Sequence, residues 1–144
     1  ERHKNTGHIG KGFFGRYGLK KGAVATSVGH DSHNLVIAGT NDEDIACAAN
    51  RVIENEGGLA IALDGEIVAD LPLQIAGLMS TLPLEEVDQR LEEMKAILRE
   101  WGISEEIDPF MTLSFVSLPV IPSLRLNTYG VIDVNQQKVV DASF

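Results

Sequence analysis

Between Leu84 and Trp101 the apolar residues Leu84, Val87, Leu91, Met94, Leu98 and Trp101 recur in alternating steps of three and four. At 3.6 residues per turn that spacing gathers all six into one stripe. Glu85, Glu86, Asp88, Arg90, Glu92, Glu93, Lys95, Arg99 and Glu100 cover the other side. Pro83 suits the first turn of such a helix and Gly102 suits its stop. A one-sided helix must lay its stripe on another apolar layer. The chain's own strands supply that layer most simply; a partner surface is the alternative.

The rest of the chain offers short β-like runs with turn signals. Ala23–Val28 and Leu35–Gly39 are small and partly β-branched. Leu59–Leu63 and Glu66–Ala69 flank Asp64-Gly65, a two-residue loop that favours a type I′ hairpin. Leu71-Pro72-Leu73 is expected to break that ladder, and Ile75–Met79 is too short to assign. Phe110–Val116 reads as a further strand. Pro119 and Pro122 bracket an extended segment. Leu124–Leu126 and Val131–Val134 surround a turn at Asn127–Gly130. A second helix is expected from about Asp42 to Glu56. Thr40 and Glu43 stand at capping-box spacing, Ile45, Ala48, Ala49, Val52 and Ile53 lie on one face, and Gly57-Gly58 forms the stop. About six strands with two main helices, and a hairpin between them, predict a single α+β domain.

The chain has 144 residues, enough for one hydrophobic core. Its 12 basic and 21 acidic residues give a net charge of −9, which argues against an extended nucleic-acid surface or binding to anionic membranes. The basic residues that do cluster lie early: Arg2, His3, Lys4, Lys11, Arg16, Lys20 and Lys21. The one cysteine, Cys47, excludes an intrachain disulfide and sits among alanines as an inert thiol. No run reaches the roughly 18 apolar residues of a membrane span. The chain opens without an apolar signal region, so a cytoplasmic location is the default expectation. Residues 1–22 carry six glycines interleaved with aromatics. A packed loop accounts for them, since no phosphate-binding motif follows.

The densest chemistry is Ser27-Val28-Gly29-His30-Asp31-Ser32-His33-Asn34. His30 and His33 stand three apart, but a metal site needs a third and usually a fourth ligand. His30 with Asp31 or Ser32 has the makings of a proton-transfer set, because imidazole titrates near neutrality. Asp31, Ser32 and Asn34 are equally what a tight turn uses to satisfy its own backbone. Both readings stay open. Asn41 and Asp42 are chiefly helix-cap residues, and they would close a pocket floor if the loop after strand 35–39 faced the loop at 29–34.

These residues resemble the C-terminal domain of bacterial adenine deaminases, in the amidohydrolase superfamily. The matching stretches include Glu1-Arg2-His3, Gly18–Ala23, Ser27–Asn34, Gly39–Asp44, Gly57-Gly58, Leu71–Leu73, Ala76–Ser80, Asp108–Phe115 and Leu118–Pro122. They run in order through nearly the whole chain. The resemblance implies a parent enzyme that hydrolyses adenine to hypoxanthine and ammonia in purine salvage. Its metal-bearing barrel would precede this domain and would use manganese or iron, and sometimes zinc. It also implies that the barrel of the same protein is this domain's partner, that adenine meets the domain through that enzyme, and that the parent is a homo-oligomer. The barrel's histidine-rich motifs are missing from this chain, so no cofactor is expected within it and the domain alone should be inactive. Glu1-Arg2-His3 resembles the end of an upstream strand. A truncated first strand is therefore expected, with a sheet edge that is exposed or covered by a partner. Two roles remain for the domain. In one, His30, Asp31, Ser32, His33 and Asn34, with Asn41 and Asp42, line the substrate mouth or contact the barrel. In the other, the domain serves structure and assembly only.

Overall fold

A computed structural model describes residues 1–142. Its centre is a four-stranded antiparallel sheet of β1 (Ala23–Thr26), β2 (Val36–Gly39), β3 (Gly58–Leu63) and β4 (Glu66–Pro72), in the order β2-β1-β3-β4. Strand alternation sorts the side chains by size. Val24, Leu59, Ile61 and Leu71 face one side and join Met94, Leu98, Trp101, Phe110 and Leu113 in the larger core. Ala23, Ala25, Ala60 and Ala62 face the other side and pack with Ala48 and Val52. One helix thus lies on a floor of alanines and the other on bulky side chains. With both faces covered, all four residues of β1 are buried.

The helix on the alanine floor is α1 (Asp42–Glu54). Its start differs from the expected Thr40/Glu43 capping box by one residue. Asn41 is the N-cap: its Oδ1 accepts from the Asp44 N–H at 2.8 Å, and its Nδ2 donates to the Asp44 carboxylate at 2.7 Å. Thr40 bonds back to the Gly22 carbonyl instead. The other carboxylate oxygen of Asp44, a buried side chain, accepts from the Gly65 N–H at 2.8 Å. The start of α1 is thereby tied to the β3–β4 turn. Asp64 (φ 54°) and Gly65 (φ 76°) both have positive φ, as the expected primed turn requires. The ladder runs on past the expected break, and Pro72 pairs with Gly58. Proline is tolerated there because β4 is an edge strand.

The striped helix is α2 (Leu84–Glu100), with Pro83 at its N-cap. Met94, Leu98 and Trp101 are buried and Val87 and Leu91 pack against the same core, whereas Leu84 at the first turn is exposed. Phe110–Val116, expected as a strand, is instead part of α3 (Pro109–Val116). The Asp108 side chain caps it by accepting from the Met111 N–H at 2.9 Å, and Pro109 occupies the first turn. Burial alone would raise the Asp108 pKa. The Met111 N–H and the Lys95 ammonium outweigh it and hold the carboxyl below its ordinary 3.8. Bonds to Glu92 and Asp108 in turn hold Lys95 above its ordinary value.

A second antiparallel sheet comprises β5 (Leu124–Asn127), β6 (Gly130–Asp133) and β7 (Lys138–Val140), in the order β5-β6-β7. The early glycine-rich segment lies along it, with Gly10 against the Asn127 carbonyl and the His8 ring tilted at 52° to that of Tyr129, 4.9 Å away. Among the described residues the molecule thus has three helices and seven strands in two antiparallel sheets, the α+β class expected. No helix among them is long and apolar enough to cross a membrane.

Candidate functional site

β1 ends at Thr26 and the chain loops through 27–35 before β2 begins, which places the polar cluster at one end of the four-stranded sheet. The base of the loop is buried. The Ser27 hydroxyl donates to the Gly77 carbonyl at 2.7 Å and accepts from the Gly58 N–H at 2.8 Å. The loop is therefore fixed both to β3 and to the turn after β4. That turn is the short apolar stretch 75–79, closed by a bridge between Ile75 and Met79.

His30 is held from α3. Its N–H donates to the Ser114 carbonyl at 2.9 Å, its carbonyl accepts from the Ser117 hydroxyl at 3.0 Å, and its ring meets Phe115 edge-on at 4.8 Å. Asp31 and Ser32 are exposed at the tip. The His3 Nε2–H donates to the Ser32 carbonyl at 2.8 Å. His33 is half-buried, with φ 48°, and its N–H donates to the Gly29 carbonyl at 2.5 Å. Its Nδ1 is buried and meets no hydrogen-bond partner. The rings of His30 and His33 lie 6.2 Å apart in an edge-to-face arrangement. The Asn34 Oδ1 accepts from the Arg2 N–H at 3.3 Å.

The loop brings His30, His33 and Asn34 together and shows Asp31 and Ser32 to solvent. Asn41 and Asp42 are elsewhere. Four strand residues separate the two groups, and at about 3.4 Å per residue β2 holds them at opposite ends of itself. Both ends border one cleft of about 810 Å³ along the outer side of β2. Its far wall is the segment Ile9–Phe14 with Leu126–Thr128. Asn41 is committed to the cap, and Asp42 is the exposed first residue of α1.

Among the described residues no three of His, Cys, Asp and Glu come together as ligands, and a protein zinc site takes three or four. The Cys47 Sγ donates to the Gly65 carbonyl at 3.2 Å. Burial, and then the Asp44 charge, push its thiol pKa up, so it has no activated thiolate. Two contributors to the loop escape a reading of the local sequence: Arg2, which stands out there only in a basic patch and in the Glu1-Arg2-His3 stretch of the resemblance, and Ser117, which follows the segment expected as a strand and found as α3.

A sheet covered on both faces, carrying a rigidly held polar loop at one end, describes a compact α+β module. Residues 1–138 match the family model described as adenine deaminase C-terminal domain. The chain belongs to that family. It is 52% identical over 143 residues to "Adenine deaminase 2" of Carboxydothermus hydrogenoformans, covering 99% of this chain and 25% of that protein. It is 58% identical over 123 residues to "Adenine deaminase" of Kosmotoga olearia, covering 85% of this chain and 21% of the relative. With "Adenine deaminase" of Clostridium acetobutylicum the identity is 48% over 135 residues, covering 93% and 24%. The chain spans about a quarter of the length of these relatives.

Proposed function

We propose that this chain is the C-terminal domain of an adenine deaminase, which converts adenine and water to hypoxanthine and ammonia in purine salvage in the cytoplasm. The observation that carries the reading is identity of 48–58% along most of the chain with proteins named for that activity. In this reading the reaction belongs to a catalytic barrel of the amidohydrolase type, in the part of the polypeptide that precedes this domain. The divalent ion, manganese or iron and sometimes zinc, belongs there too and would supply the activation of water. The domain is auxiliary. Its His30–Asn34 loop faces the mouth of the adenine site, where imidazole and amide groups present donors and acceptors to a purine edge.

The support for that placement is how the loop is built. The His30 N–H and carbonyl are tied to α3 and the Ser32 and His33 carbonyls to the amino-terminal segment, while Asp31 and Ser32 are exposed. The test is steady-state deamination of adenine by the full-length protein with His30→Ala and His33→Ala, alongside its melting temperature. Turnover should fall while the melting temperature holds. Unchanged kinetics in both variants would remove the loop from the site. The reading that bears on assembly is a structural role, for which the exposed side chains of Ile9, Val120 and Tyr129, at 77%, 71% and 69%, are candidate contacts. Light scattering of the full-length protein and of a form lacking this domain separates the two roles. An oligomer lost with the domain, with per-site turnover retained, would favour assembly alone.

A further inference from the structure

We infer that Arg2 is the positioning residue of the His30–Asn34 loop, locking it to the turn at 75–79 through two backbone carbonyls. The inference rests on the reading of that loop as part of the deaminase site. The Arg2 Nε–H donates to the His33 carbonyl at 2.8 Å and an Nη2–H donates to the Ala76 carbonyl at 3.0 Å, while the Arg2 backbone N–H reaches the Asn34 side chain. The two carbonyls belong to residues in the left-handed region, His33 at φ 48° and Ala76 at φ 59°. Left-handed backbone is unfavourable for residues with a side chain, and the Arg2 contacts offset part of that cost at both turns.

A guanidinium suits this task and an ammonium does not. Its donors lie in one rigid plane and reach two acceptors at once, whereas lysine offers a single flexible point. The turn at 76–77 leaves space for the plane: a Cβ on Gly77 would stand 2.6 Å from the Arg2 Nη1. Among the described residues, none of the ion pairs involves Arg2. Its charge is therefore not employed in a surface salt bridge; its contacts are the loop and the turn. His3 adds the neighbouring Ser32 carbonyl, so two consecutive residues hold three consecutive loop residues from 29 to 32 positions away in sequence.

The consequence is kinetic. A loop displaced by even an ångström loses groups that act in the transition state, and that lowers turnover more than ground-state binding. The experiment measures kcat and KM for adenine in the full-length enzyme carrying Arg2→Ala, Arg2→Lys, His30→Ala or His33→Ala, with a melting temperature for each. For Arg2→Ala kcat should fall about tenfold or more with KM within about twofold. Arg2→Lys should recover only a small part of that loss. Millimolar guanidinium should restore activity to Arg2→Ala but not to His33→Ala. Should Arg2→Ala fail to fold, Arg2→Lys carries the same comparison. Wild-type kcat in Arg2→Lys, with kcat lowered in the histidine variants, overturns the positioning role and leaves the deaminase reading standing. Wild-type kcat in the histidine variants as well overturns that reading itself.

Discussion

Replacing Asp44 tests whether the polar residues at the start of α1 serve the fold. The carboxylate is buried and accepts two hydrogen bonds, from the Asn41 side chain at 2.7 Å and from the Gly65 N–H at 2.8 Å. A hydrogen bond to a charged group contributes about 1.5–3 kcal/mol, and a donor left without a partner costs its desolvation. Loss of an acidic residue from the first turn adds about 0.5 kcal/mol, which the better helix propensity of alanine roughly offsets. Asp44→Ala should therefore destabilise by about 3 kcal/mol. The chain has one tryptophan, Trp101, 4% exposed in the core, so urea unfolding can be followed by its fluorescence. With a slope of about 2 kcal/mol per molar, the midpoint should drop by about 1.5 M. Asn41→Ala and the double variant complete a cycle whose coupling should reach about 1 kcal/mol. In the full-length enzyme, kcat should be unchanged at temperatures where the variant stays folded. A midpoint within about 0.25 M of wild type would refute the argument. A large loss of kcat in a stably folded variant would return Asn41 and its neighbours to the candidate site.

Leu98→Ala, at the centre of the α2 contact, should cost about 3 kcal/mol by leaving a cavity, read in the same urea titration. Asp108 has a lowered pKa when folded, so its stabilisation is present above its ordinary 3.8 and is lost as pH falls through the lower folded value. Lys95 is raised, so its share is present below its ordinary 10.5 and is lost only as pH rises through a higher value. The midpoint difference between wild type and Asp108→Asn should accordingly be constant near neutrality and shrink below about pH 4; a difference that grows on acidification would contradict the assignment. The isolated 144-residue chain should release no ammonia from adenine with manganese, iron or zinc added, and turnover above the metal-only control that vanished with His30 and His33 would overturn the auxiliary reading.

What could be read from the sequence, and what could not, divides by the range over which each contact acts. The α2 stripe, the Asp64-Gly65 turn and the short β-like runs of β1 and β3 are local patterns, and the α+β class follows from them. α3 was obscured because Phe110, Leu113 and Phe115 form an apolar run without a polar face, and periodicity cannot separate a short buried helix from a strand. Asp108-Pro109 was the better cue, an N-cap followed by proline at the first position. β7 has three residues, two of them exposed, too little pattern to register. The same distinction applies to the site. Asn41 looked like a cap and is one, because capping is settled within three residues. The density of His30–Asn34 was equally visible, but two independent supports decide whether it is an ordinary turn or an oriented one. Ser117 reaches His30 across 87 residues, and Arg2 reaches His33 across 31. A turn that only reverses the chain needs neither. Contacts so distant lie outside any local pattern, so the anchoring of this loop could be read only from the fold.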